Sequence, residues 1–264
     1  SSAASDVYKR QDYARSAAGV VYAVSASLVP GFDRTGDGVG DYNNGLHALW
    51  RSTDGGLTWE ARLRNSSTDA LSTYLFSYGD GFEAPRCGFG SISTYSAGWY
   101  NQAIAVNPLN PDVVWVAGMD HFRSDDGGRT FGKASYYFLF GSTAQGVHAD
   151  QHYLVFHPGY NGASNKQLFS TNDGGITVTD NDAAPTHRGV MAVCAANSGG
   201  VQWRNLAPGL VTTQFYTGAV SADGGLFMGG LQDNGTVLST PGSGSSWRHI
   251  YGGDLSLIHI SEPT

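Results

Sequence analysis

A turn that ties itself shut, and then recurs, constrains this chain more than any other feature. Arg51 to Glu60 reads RSTDGGLTWE, with Ser52, Asp54, Gly56 and Trp59 in the spacing S-x-D-x-G-x-x-W. A short Asp carboxylate accepts hydrogen bonds from nearby backbone N–H groups, and glycine supplies the positive φ that the bend needs. The aromatic residue then opens the next strand and covers the turn. The pattern returns as SDDGGRTF, with Ser124, Asp126, Gly128 and Phe131, and more loosely as TNDGGITV from Thr171 to Val178. One such turn is ordinary. Its return at long intervals predicts a repeat architecture.

The rest of the chain has the composition for it. Gly, Ser, Thr, Asn and Tyr are plentiful, charged residues are few, and β-branched or aromatic runs alternate with Gly/Pro/Asn turns without a helical period. The clearest unit starts at Trp99: WYNQAIAVNP, VVWVAG, HFRS and TFGKAS are four strands in about 40 residues, the size of a propeller blade. VVYAVSAS, LHALWRS and TWEARLR supply three strands of an earlier blade whose first strand is expected to be missing. DQHYLVFHP, KQLFSTN, GITVT and VQWRNL form the next blade, and TTQFYTGAVS, GLFMGG, GTVLS and SSWRHIY the last. The expected fold is all-β, a partial β-propeller of four-stranded antiparallel blades, about four in number.

Both ends read as foreign to that fold. Ser1–Gln11 and Leu255–Thr264 match the translated strands of a transposase-type sequencing adapter. Residues 1–11 and 255–264 are therefore expected to be adapter-derived tails, and 12–254 a propeller fragment of metagenomic origin, with blades or a second propeller missing.

The net charge of −7 argues against nucleic-acid or anionic-membrane partners, and no apolar run is long enough to span a bilayer. Between the tails, lysine occurs only at Lys133 and Lys166, and glutamate only at Glu60 and Glu83. Any carboxylate chemistry is mostly aspartate chemistry. Cys87 and Cys194 fall on opposite faces in this strand order and are expected to be free thiols.

In a propeller the first strand of each blade is innermost and successive strands alternate in direction. Turns between second and third strands then share a face with the entrances to first strands, and the latched turns lie on the other face. Asp120, Asp173 and Asp233 belong to the channel-mouth face, where closed β architectures usually bind ligands. Thr179-Asp180-Asn181 holds the latch position of its blade, so Asp173 is expected not to be a latch.

GWYNQAIAVNPLNPDVVWVAG, RSDDGGRTF, VHADQHYLVFHP, STNDGGI, LAPGLVTTQFY and GGLQDNGT together resemble the secreted bacterial BNR/Asp-box propellers, related to sortilin-type domains and to xyloglucanase-type glycoside hydrolases. The resemblance implies an extracellular or cell-surface protein and a polysaccharide or other glycan as ligand. In the hydrolases a catalytic Asp sits in an R-T-D-x-G-G turn, which Asp173 resembles. Asp173 with Asp233, or with Asp120, could form the pair of an inverting enzyme, whose carboxyl groups stand about 6.5–9.5 Å apart. Equally, each Asp can merely tie its own turn. Sialidase activity is not expected, since there is no F/Y-R-I-P segment and no arginine cluster to clamp a carboxylate.

Three further groups stand out. His148, Asp150 and His152 alternate at the start of an innermost strand, which would put them on one side as metal ligands, ligand contacts or a hydrogen-bonded fastening between blades. Asp33, Thr35, Asp37 and Asp41 set oxygen donors along a Gly-rich loop like a calcium loop, with Asn44 where a bidentate acid is expected; an ion-free polar insertion fits as well. No other cofactor is required. Trp99, Tyr100, Gln214, Phe215 and Tyr216 lie at first-strand entrances, and Tyr74, Phe76, Tyr78 and Phe82 in the Arg64–Gly98 insertion. Aromatic rings beside acids suit sugar binding, and the same rings suit a core. The leading expectation is a carbohydrate-active or carbohydrate-binding propeller; the other is a non-catalytic scaffold with a protein ligand, of sortilin type.

Overall fold

Turn-rich alternation of short apolar runs folds here into four separate four-stranded sheets. The computed structural model describes residues 9–27, 45–64, 74–77, 96–139, 141, 143–189, 192, 199–207, 213–232, 234–240 and 247–251. The first sheet holds β1 (Lys9–Tyr13), β2 (Val21–Ala26), β3 (Leu46–Ser52) and β4 (Glu60–Arg64). The second holds β5 (Ala103–Val106), β6 (Val114–Ala117), β7 (His121–Ser124) and β8 (Gly132–Lys133). The third holds β9 (Gln151–Phe156), β10 (Leu168–Asn172), β11 (Gly175–Thr179) and β12 (Arg204–Asn205). The fourth holds β13 (Phe215–Val220), β14 (Phe227–Leu231), β15 (Gly235–Ser239) and β16 (Arg248–Tyr251). Every sheet runs antiparallel in simple sequence order, as propeller blades do. The fold is an all-β partial propeller. The first blade, expected to lack an inner strand, has one: β1 pairs with β2 from Lys9↔Ser25 to Tyr13↔Val21. Backbone pairing does not depend on side-chain identity, so residues 9–11 can fill that place whatever their origin.

The chain divides into two compact units, Ser1–Pro208 with the first three blades and Gly209–Thr264 with the fourth. In the first unit the innermost strands are neighbours, β1 beside β5 and β5 beside β9. The middle blade is covered on both sides, and its strands divide their side chains by the two-residue period. Ile104, Val106, Val114 and Val116 pack with Tyr22, Val24 and Leu46 of the first blade. Ala103, Ala105, Trp115 and Ala117 pack with Leu154, Phe156, Leu168 and Trp203 of the third. β5, β6 and β7 are buried along their whole length for this reason. β9, covered on one side, alternates: Leu154 and Phe156 are buried while Tyr153 and Val155 are exposed.

The latched turns close the outer strand pairs. Ser52 Oγ donates to Asp54 Oδ1 (2.7 Å) and accepts the Gly56 N–H (2.8 Å), while the other turn donors, Thr58 N–H and Thr58 Oγ1–H, reach the Asp54 carboxylate at 2.9 and 2.6 Å. Ser124 and Asp126 repeat this with Gly128 and Thr130 at 2.8, 2.9 and 2.6 Å. Gly56 and Gly128 have φ of 93° and 85°, where a side chain would strain the backbone. Among the described residues the third blade has no such latch. Asp180 instead accepts from Gln167 Nε2 (2.7 Å), and Asn181 N–H reaches only Thr179 Oγ1 at 3.3 Å. A related latch, which keeps the S-x-D-x-G spacing but has Met228 at the aromatic position, stands between β13 and β14, where Ser221 Oγ donates to Asp223 Oδ1 (2.6 Å) and Gly225 N–H follows at 2.9 Å.

The insertion between β11 and β12 reaches back to the outer edge of the second blade. His187 and Lys133 exchange backbone hydrogen bonds of 2.7 and 2.9 Å, and the Arg188 guanidinium bonds Thr130 Oγ1 and Asp125. Gly132 permits the approach, since a Cβ there would lie 2.1 Å from Thr186 Oγ1.

Two outcomes follow for the latches. Ser124→Ala strands the buried Gly128 N–H and lowers stability by about 1–3 kcal/mol in urea unfolding. Hydrogen bonds from the Thr58 side chain, the Thr58 backbone and Ser52 hold the Asp54 carboxyl down, from its ordinary 3.8 to about 2. Its contribution is therefore complete above pH 3.8 and is lost as pH falls through 2. Asp54→Asn should flatten the acid limb of a thermal-melting series across that window.

Candidate functional site

The turn between β10 and β11 carries the best-placed acid. Its backbone is tied by Asn172, whose Oδ1 accepts the Gly174 N–H at 3.0 Å, so the Asp173 carboxylate is left to point elsewhere. It accepts the Tyr100 hydroxyl at 3.0 and 3.2 Å and lies 2.6 Å from His152 Nε2. Tyr100 and His152 stand edge to face with centroids 4.9 Å apart, and the half-exposed Trp99 ring lies 5.5 Å from Tyr100. A turn between second and third strands thus meets the entrance to β5 and the start of β9, as the expected face assignment requires. The acid bonds across two blades rather than within its own turn.

Asp150 is tied to the residue that follows Tyr100. Asn101, the residue after Tyr100, donates Nδ2–H to Asp150 Oδ1 at 2.5 Å. Asp150 has φ of 63°, uncommon for a residue other than glycine, and β9 begins only at Gln151. Strand alternation therefore does not extend through His148, Asp150 and His152. His148 packs over Gly174 with Nδ1 3.1 Å from the Ala149 carbonyl, Asp150 bonds Asn101, and His152 bonds Asp173. Among the described residues no group of three His, Cys, Asp or Glu side chains is arranged to hold a metal ion. Of these three contacts, only the Asp150–Asn101 bond joins two blades; those of His148 and His152 stay within the third.

Asp120 occupies the same place in the second blade as Asp173 does in the third, with the opposite outcome. It is buried with Lys133, whose ammonium it contacts, and also accepts from Ser135 Oγ (3.0 Å) and Tyr137 N–H (2.8 Å). Burial raises the proton affinity of its carboxyl, and the Lys133 ammonium is the largest opposing influence. His121 beside it is fully buried between Ser135 and Ser170, stacked on Trp203 at 4.2 Å; desolvation, then Lys133, lowers its pKa to about 3. Sequence could not separate Asp120 from Asp173, because the lysine that covers Asp120 comes 13 residues later on another strand.

The remaining expected residues divide simply. Asp233, the loop with Asp33, Thr35, Asp37 and Asp41, Tyr78, Phe82, Cys87 and Cys194 lie outside the described residues. Tyr74 lies in a single 3-10 turn with Phe76, which is core. Gln214, Phe215 and Tyr216 belong to the second unit, where Phe215 and Tyr216 are exposed at the start of β13. A cavity of about 470 Å³ lies against β11 and β12, lined by Val178, Asp180, Asn181, Trp203 and Arg204 among others, and Asp173 is not part of it.

No family model matches the chain, and no curated protein matches it. Three solved structures are similar in part. A GH74 enzyme of Niastella koreensis is 12% identical with a TM-score of 0.40, over 91% of this chain and 29% of that one. An ancestral GH74 enzyme is 10% identical with a TM-score of 0.35, over 91% and 25%. YCF48 bound to D1 peptide is 12% identical with a TM-score of 0.32, over 90% and 56%. The chain spans between a quarter and just over half of these proteins, and likeness at this level decides nothing about activity.

Removing one partner of the Asp120–Lys133 pair leaves a buried charge. Lys133→Met should cost about 3–5 kcal/mol in denaturant unfolding, and the double replacement Asp120→Leu with Lys133→Met should recover much of that loss.

Proposed function

We propose that this chain is part of a secreted bacterial propeller of the BNR/Asp-box kind that binds polysaccharide at the Asp173 face and hydrolyses it with inversion. The observation that carries this reading is the Asp173 carboxylate, released from its own turn and held by Tyr100 and His152 beside the exposed Trp99 ring. A carboxylate has about four lone-pair positions, so these contacts leave room for a water. Activation of water on the far side of the sugar is the base's task in an inverting pair. Among the described residues, Asp150, anchored on Asn101 next to Tyr100, is the acid linked most directly to the same entrance. Trp99 and Tyr100 offer ring faces to a sugar. The reaction needs no cofactor; a calcium ion at Asp33, Thr35, Asp37 and Asp41 would brace a loop.

The same exposed rings favour a second reading, a non-catalytic scaffold that binds a protein ligand, as sortilin-type domains do. Asp173→Asn in the full-length protein should cut hydrolysis of a polysaccharide panel by about 10²–10⁴-fold. Unchanged rates refute the assignment. Trp99→Ala should weaken glycan binding by roughly tenfold, equivalent to about 1.4 kcal/mol. Saturable peptide binding with no turnover of any glycan would select the scaffold.

A further inference from the structure

The pair that the proposed site does not use has the geometry of a reaction. Lys133 on β8 and Asp120 between β6 and β7 are each 1% exposed, and Lys133 Nζ touches Asp120 Oδ2. The other oxygen, Oδ1, accepts the Tyr137 N–H at 2.8 Å and the Ser135 hydroxyl at 3.0 Å. The rings of Phe122 and Tyr136 close over the nitrogen, with centroids 5.2 and 5.1 Å away. We propose that Lys133 and Asp120 condense after folding into an intramolecular isopeptide bond, which staples the β6–β7 turn to β8.

Three features of the site act in this direction. The amine and the carboxyl group are held in contact, which replaces a bimolecular encounter by an effective concentration far above any attainable in solution. The two donors on Oδ1 stand where negative charge develops when nitrogen adds to the carboxyl carbon, the arrangement of an oxyanion hole. Burial raises the proton affinity of the Asp120 carboxylate, which favours passage of a proton from the touching ammonium to Oδ2. The Nζ lone pair then forms a bond to Cγ, and the bond from Cγ to Oδ2 breaks. Oδ2 leaves as water with two of the three ammonium protons, and the third stays on the amide nitrogen. An ammonium and a carboxylate become an amide and one water, with no oxidant, reductant or co-reactant. In a dry interior the amide is also sheltered from hydrolysis.

Intact-mass spectrometry of the folded full chain tests this directly. The expected mass is lower than that of the sequence by one water, and digestion should yield a branched peptide joining the segments around Asp120 and Lys133. The unmodified mass after prolonged incubation of folded protein overturns the proposal. So does a water loss that maps instead to an Asp-Gly step such as Asp126-Gly127, where succinimide forms. Asp120→Asn adds a chemical signature: the same attack would expel ammonia, and that variant should be lighter than its sequence by one ammonia. Lys133→Met should keep its full mass; if it fails to fold, the wild-type mass and the branched peptide still decide.

Discussion

The first unit depends on burying both faces of its middle sheet. β5 and β6 send branched aliphatic side chains to one neighbour, and Trp115 with three alanines to the other. Fully burying a large apolar side chain is worth about 1.5–3 kcal/mol, and these strands bury every residue. The backbone is then fixed well enough for short turns at either end to place side chains accurately. The Ser–Asp latches serve that end by satisfying turn N–H groups, of which that of Gly128 is buried against Leu49 of the first blade.

Several polar groups caught inside this arrangement are paired across blades. Asp12 accepts the Val106 N–H at 2.7 Å, and Tyr22 donates to the Pro111 carbonyl at 2.8 Å. On the other side of the middle blade, Asp182 is bonded by Tyr160 and Asn107 at 2.9 and 3.2 Å, and burial pushes the Tyr160 hydroxyl up to about 12. The contrast between Asp120 and Asp173 arises in the same way. Two acids at equivalent places in successive blades differ because one meets a lysine in a closed interior and the other meets a histidine and a tyrosine at an open end.

Much of this was legible in the residues. The S-x-D-x-G spacing followed by an aromatic residue announced both latches, the two-residue period announced the sheets, and the strand register placed Asp173 with the first-strand entrances. What escaped depended on backbone detail or on partners distant in sequence. The positive φ at Asp150 removed the alternation expected of His148, Asp150 and His152. The latch at Ser221 and Asp223 lacks an aromatic residue at the usual offset and so resembled an ordinary turn. Thr179 and Asp180 have the right position, but Gln167 and Arg204 draw the carboxylate away.

The reach of the β11–β12 insertion changes how the blades lose their structure. Stacked repeats usually melt by fraying, because each unit touches only its neighbours through side chains. Here a segment belonging to the third blade supplies main-chain partners to the second, at His187 and Lys133, and an arginine fork to its outer turn. Opening either blade at this edge breaks a main-chain bridge that it shares with the other. The two form a single cooperative block, and hydrogen exchange at β8 and at β11 reports one opening event.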